Sequence, residues 1–236
     1  MTQYIRSFIF NILFIIETTF FSIIATLSIL LPKSFVIKIA RTWSYTSLIL
    51  LKYICNITYK VKGKENIPPN THVIFASKHQ SAWETIAYQY ILGNCIFMFK
   101  KELAFIPFFG ITLIKAGNIM VDRGASNKKT LSKLIKKFKT ALKTRNVIIF
   151  PEGTRTKPNS TPKYKSGLSI ISQQLKDTYI VPIAMNAGLY WPKRGFLKKQ
   201  GEIQVHILPA LQTKNLTKDE FQEKLVSSIE NEMQKL

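Results

Sequence analysis

The chain has 236 residues, 46% of them hydrophobic, and a formal net charge of +21 from 34 Lys+Arg against 13 Asp+Glu. That length can form one domain plus a membrane element, and it leaves little room for a second full domain. The charge attracts polyanions (nucleic acid, anionic lipid headgroups, phosphorylated cofactors) without choosing among them, and the two cysteines, Cys55 and Cys95, exclude a disulfide framework and fit a reduced cytoplasmic setting.

Residues 8–31 are almost continuously apolar, interrupted by Asn11 and Glu17 and ended by Pro32 and Lys33. The run exceeds the roughly twenty residues a helix needs to span a bilayer. It is too long for a removed signal peptide and lacks a convincing small-residue cleavage site. A second run, 44–57, is shorter and carries Lys52. Residues 1–60 are therefore expected to form membrane-associated helices, either one spanning helix or a helical pair lying in one leaflet. The alternative is two buried helices of a soluble domain. Glu17 is costly in every apolar reading.

Residues 61–70, with Gly63, Pro68 and Pro69, read as a linker or surface turn. Beyond them, apolar runs predict strands at 72–76, 96–99, 118–121, 147–150, 179–185 and 203–208. Helical patterns lie between at 82–92, 127–144 and 165–175, and a last helix at 218–235 starts with a capping box, Thr217-Lys-Asp-Glu220. This alternation predicts an α/β catalytic domain over 61–236, built on a mostly parallel or mixed sheet flanked by helices.

Two segments carry chemistry. In Lys78-His-Gln-Ser-Ala-Trp-Glu84, a histidine and a carboxylate stand five positions apart. On a regular helix their side chains would diverge by about 140°. They meet only if His79 sits in the turn before the helix and Glu84 in its first turn. So placed, His79 can take a proton from a hydroxyl while Glu84 fixes its tautomer. The same residues also spell a capping box in which Glu84 serves only the backbone at Ser81. The second segment, Phe150-Pro-Glu-Gly-Thr-Arg-Thr156, follows an apolar strand directly. Gly153 permits a sharp turn, and Arg155 offers a planar fork suited to phosphate. Glu152 can hold that arginine or a backbone amide. Gly117-Asn-Ile-Met-Val-Asp-Arg123 and Lys100-Lys-Glu-Leu-Ala-Phe-Ile-Pro-Phe-Phe-Gly110 add basic residues at the ends of other strands. Such ends converge on one crevice in an α/β sheet.

These segments resemble the glycerophospholipid acyltransferases, in particular the bacterial 1-acyl-glycerol-3-phosphate acyltransferases. That family has a His–four residues–Asp block, a Gly-x-x-x-x-x-Arg block, a Glu-Gly-Thr-Arg block and a Val-Pro block. All four occur here in order, as His79…Glu84, Gly117…Arg123, Glu152-Gly-Thr-Arg155 and Val181-Pro182, and 101–110 matches as well. Roughly residues 60–210 are covered. Glu84 stands where the family usually has aspartate, and its extra methylene can still reach the imidazole. The resemblance implies that His79 deprotonates the sn-2 hydroxyl of lysophosphatidic acid. The alkoxide then attacks the thioester of an acyl-CoA or acyl-carrier-protein to give phosphatidic acid. Arg155 would bind the acceptor phosphate, with Lys101 and Arg123 as further candidates and Glu152, Gly153 and Thr154 as supports. It also implies a bacterial inner-membrane location with the catalytic domain on the cytoplasmic side, and no cofactor beyond the acyl donor.

Other features remain structural expectations. Between 126 and 145, Leu131, Leu134, Ile135, Phe138 and Leu142 form one apolar stripe, with Lys and Arg on the remaining surface. That surface is either a solvated charged face or an attractor for anionic lipid, coenzyme A phosphates or acidic carrier protein. Val181-Pro182 is expected at a strand edge, where a missing donor is tolerated. The three histidines show no metal-site spacing, so no metal is expected. The rivals are the same chemistry on glycerol-3-phosphate or another lysolipid, and a non-catalytic basic protein binding membrane or nucleic acid. The ordered blocks argue against the last, and nucleic acid is not an expected partner.

Overall fold

Two long helices, α1 (Thr2–Leu27) and α2 (Lys33–Cys55), open the chain and are joined by a 3₁₀ turn at Ser28–Leu30. The computed structural model describes residues 1–93, 95–121, 128–160, 162–214 and 216–236. Among these, the stretch Thr2–Leu30 is long and apolar enough to cross a membrane. Its apolar side chains largely face outward: Ile15 is 64% exposed and Leu27 79%. Its polar interruptions face the protein instead. Glu17 accepts hydrogen bonds from the Thr46 hydroxyl and, at 3.0 Å, from the Ser47 hydroxyl of α2. Trp43 Nε1 donates to Thr18 Oγ1 at 3.1 Å. Asn11 accepts from Lys198 Nζ at 2.5 Å. The charge that seemed out of place is thus paired within the hairpin, which offsets its desolvation.

The rest of the chain is a mixed sheet with helices on both faces. Its strands are β1 (Ile57–Lys62), β2 (Ile74–Ser77), β3 (Cys95–Lys100), β4 (Ile119–Val121), β5 (Asn146–Ile149), β6 (Tyr179–Met185), β7 (Gly201–Ile207) and β8 (Leu211–Gln212). The order is β1-β7-β6-β2-β5-β3-β4, with β8 paired to β6. All described pairings are parallel except those of β6 with β7 and β8. β1 lies where a linker was expected to begin, and the boundary expected at 60/61 falls inside it. The period-two alternation of Ile57, Tyr59 and Val61 was the available signal.

Alternation along the strands supplies two cores. Val73, Phe75, Ile148 and Val181 point to one face, where α2 and α3 (Trp83–Ile91) pack. Ile74, Ala76, Val147 and Ile149 point to the other. There lie α5 (Lys128–Ala141), α6 (Gly167–Gln174) and α8 (Lys218–Met233), which contribute Phe138, Leu168 and Phe221 to the same cluster. The predicted stripe of α5 is therefore its core face, with Phe138 fully buried. The capping box at Thr217 and Glu220 is formed on both sides.

Among the described residues there are also two short α-helices, α4 (Phe109–Lys115) and α7 (Ala187–Tyr190). One expectation is corrected: Pro182 lies in an interior strand. β6 pairs with β8 through Ile180 and with β7 from Ile183, and Leu208 N–H donates to Pro182 O at 2.9 Å. The missing donor of Pro182 therefore faces the gap where one antiparallel partner gives way to the next, and no ladder bond is lost there.

Candidate active site

β2 and β5 are adjacent and parallel, so the segments that follow them emerge side by side at the carboxyl edge of the sheet. His79 lies in the turn after β2, and α3 begins at Trp83, which puts Glu84 in its first turn. His79 Nδ1 is 2.7 Å from Glu84 Oε1. The same oxygen accepts the backbone N–H groups of Gln80 and Ser81, each at 2.8 Å. The two sequence readings of Glu84 are therefore compatible: one oxygen serves the start of the helix and the imidazole together. The Glu84 side chain is fully buried.

The segment after β5 grips the histidine from the other side. Glu152 Oε1 accepts the His79 N–H at 3.2 Å, and Thr156 donates to His79 O through its N–H (2.8 Å) and its hydroxyl (3.1 Å). Of the two roles open to Glu152, the structure shows the backbone amide. The Phe150 ring stacks on the imidazole at 4.0 Å between centroids. Gly153 has φ +68°, a left-handed conformation that makes the tight turn possible. Main chain and ring of His79 are thus held by Glu152, Thr156, Phe150 and Glu84, leaving Nε2 as the nitrogen available to a substrate.

Behind the histidine is a buried polar cluster. Lys78 Nζ lies 2.5 Å from Glu230 Oε1 of α8 and 3.9 Å from Glu152 Oε1. Tyr164 donates its hydroxyl to the same Glu230 oxygen at 2.5 Å. Burial pushes the Glu152 carboxyl up to about 7, against the lowering pull of the His79 N–H and the Lys78 ammonium.

His79 opens onto a cavity of about 550 Å³, within the usual range for small-molecule sites. Its walls are largely apolar, with Phe21 and Ala25 from α1, Ile39 and Trp43 from α2, and Phe97 and Leu113 from the sheet and α4. Arg155, Thr154, Lys193 and Arg194 also line it, as does Lys100. Lys193 Nζ donates to Arg155 O at 2.7 Å and to Thr154 Oγ1 at 3.3 Å. Lys101 is exposed on the 3₁₀ turn Lys101–Phe105 and lies outside this lining, while Arg123 lies outside the described residues. Sequence reasoning missed Thr156, Lys193 and Glu230 as members of the site. Lys193-Arg194 follows an aromatic, proline-containing loop, and no spacing ties it to the other blocks.

The Acyltransferase family model matches residues 58–186. A Pseudomonas aeruginosa protein named 1-acyl-sn-glycerol-3-phosphate acyltransferase is 38% identical over 174 residues, covering 73% of this chain and 66% of its own length. The human protein named 1-acyl-sn-glycerol-3-phosphate acyltransferase alpha is 30% identical over 176 residues, covering 73% of this chain and 62% of its own length. The matched segment is thus just under two thirds of either relative. A Borreliella burgdorferi protein named 1-acyl-sn-glycerol-3-phosphate acyltransferase is 30% identical, with 78% of this chain and 73% of its length covered. Among solved structures, the 1-acyl-sn-glycerophosphate (LPA) acyltransferase of Thermotoga maritima superposes with a TM-score of 0.82 over 100% of this chain and 97% of that one. At 19% identity, that likeness speaks to the fold. The family match runs from β1 through β6 and takes in both segments that hold His79, so the chain belongs to the acyltransferase family.

Proposed function

We propose that the chain transfers an acyl group from a thioester donor, acyl-CoA or acyl-carrier-protein, to the sn-2 hydroxyl of 1-acyl-glycerol-3-phosphate, giving phosphatidic acid. The observation that carries this reading is a histidine oriented by a buried carboxylate at the wall of an apolar cavity that is also lined by Arg155, Lys193 and Arg194. An acyl chain fits the apolar walls, and a phosphate fits the arginine fork.

His79 Nε2 takes the proton of the acceptor hydroxyl while Nδ1–H stays bonded to Glu84. The alkoxide oxygen attacks the thioester carbonyl. The tetrahedral intermediate collapses with cleavage of the C–S bond, and the departing thiolate recovers the proton from His79. No covalent enzyme intermediate is required. Glu84 stabilises the imidazolium, and its two further backbone bonds keep it from following the ring. Arg155 holds the acceptor phosphate, with Lys193 adding charge beside it. The apolar hairpin supports a membrane-bound enzyme, and thioester donors of this kind favour the cytoplasmic face of a bacterial inner membrane.

An acceptor panel tests this directly. Purified protein in phospholipid vesicles receives palmitoyl-CoA with lysophosphatidic acid, glycerol-3-phosphate or lysophosphatidylcholine, and products are resolved by mass. Phosphatidic acid from the first acceptor alone is the expected result. Preference for glycerol-3-phosphate would overturn the acceptor assignment.

A further inference from the structure

The most conspicuous surface outside the site is the turn-and-helix segment from Lys101 to Lys115. Phe105 is 76% exposed, and Ile106, Phe108, Ile111 and Ile114 are each between 42% and 54% exposed. A soluble face would not be built this way, because clustered exposed aliphatic and aromatic side chains mark an interaction surface. The opposite side of α4 is equally apolar, with Phe109 and Leu113 in the cavity wall. A seven-residue helix with two apolar faces needs a second apolar environment besides the cavity.

The segment is rigidly constructed. Phe108 adopts φ 62°, ψ −47°, and Phe109 N–H donates to Pro107 O at 2.6 Å, a positive-φ γ-turn rarely tolerated by an aromatic residue. Its carbonyl is held by the hydroxyls of Thr112 (2.8 Å) and of Thr26 in α1 (3.2 Å). A Cβ on Gly110 would lie 2.0 Å from Ala104 O, so the helix sits directly on the preceding turn. The strained turn holds Phe108 on the outside.

What covers this face follows from its neighbour. α4 packs against the C-terminal half of α1, whose Phe20, Ile23 and Leu27 are also exposed, so the two apolar surfaces are continuous. Lysines flank it at Lys100, Lys101 and Lys115, where anionic headgroups would lie. We infer that the 101–115 segment is a second membrane-inserted element, entering the same lipid layer as α1, so that the acceptor's acyl chain reaches the cavity between them without crossing water. The inference rests on the membrane-bound reading given above.

Nitroxide labels on the full chain test it, placed by Phe105→Cys, Phe8→Cys on α1 and Glu223→Cys on the solvent face of α8, with phosphatidylethanolamine–phosphatidylglycerol vesicles. Cys55 and Cys95 are buried, so the introduced thiols take the label. Collision with oxygen over a water-soluble nickel complex should dominate at 105 and 8 and not at 223. Lipid contact at 8 with water contact at 105 overturns this inference and leaves the membrane reading intact. Water contact at both overturns both. A functional arm uses Phe105→Asp, a surface change outside the cavity lining. Turnover of a long-chain acceptor in vesicles should fall roughly tenfold, from the cost of a carboxylate at that depth, with a short-chain soluble acceptor turned over as before. Equal losses on both acceptors would contradict the inference.

Discussion

Replacing Glu84 by Gln isolates the charge of the orienting residue from its geometry. The Glu84 oxygen accepts three hydrogen bonds, from His79 Nδ1 at 2.7 Å and from two backbone N–H groups at 2.8 Å. The backbone donors fix which end of a glutamine amide faces inward: its oxygen must take their place, and it then still faces Nδ1. The tautomer is therefore preserved, unlike in catalytic triads where an amide can turn its NH₂ to the imidazole and cost about 10⁴ in rate. What is lost is the charge assistance of the bond to the imidazolium. A charge-assisted bond is worth about 1.5–3 kcal/mol against 0.5–1.5 for a neutral one, so about 1–2 kcal/mol should disappear. At about 1.36 kcal/mol per decade, kcat should fall between about 5- and 30-fold. Glu84→Ala removes the acceptor from two backbone donors as well and should cost several kcal/mol of stability besides. Thiol release at saturating donor and acceptor gives kcat, and thermal melts separate the two effects. A Glu84→Gln enzyme with unchanged kcat, or one as inactive as a His79 variant with an intact fold, would rule out charge assistance of this size by Glu84.

Glu152→Gln tests the buried carboxyl. Its folded pKa, raised to about 7 from 4.5, means that its contribution to stability is complete below pH 4.5 and is lost as pH rises through 7. The variant should therefore gain up to about 3 kcal/mol on the wild type between pH 4.5 and 8, read from paired melts, and a pH-independent difference would contradict this. Lys78→Met leaves carboxylates facing a vacated buried site and should cost about 3 kcal/mol, seen as a Tm lowered by roughly 6–12 °C. Adding Glu230→Gln should recover part of that loss, and purely additive effects would break the proposed coupling. Arg155→Lys keeps the charge but loses the planar fork. It should raise KM for lysophosphatidic acid about tenfold and leave KM for the acyl donor unchanged.

Much of this was legible because the signals were local. The five-residue interval of His79 and Glu84 demanded a turn followed by a helix, and that is how the segment folds. Strand 179–185 followed from an unbroken apolar run, and the capping box at Thr217 from a fixed four-residue pattern. What stayed hidden depends on tertiary neighbours. Glu17 reads as a defect until the Thr46 and Ser47 hydroxyls of α2 are brought against it. Glu230 reads as one more surface acid on a C-terminal helix, and only packing of α8 against β6 takes it to Lys78. α4 was obscured by its own punctuation: Pro107 and Gly110 signal a turn, and the helix starts inside that turn because Phe108 adopts a positive φ. Pro182 looked like an edge marker, since the sequence does not show that β7 and β8 divide one side of β6 between them.

The whole mechanism turns on His79 acting as the base in an acyl transfer. Thiol release from an acyl-CoA, measured with and without lysophosphatidic acid in vesicles, compares wild type with His79→Ala at matched folding. Release should require the acceptor and vanish in the variant; equal acceptor-dependent release by both proteins would rule out His79 as the base.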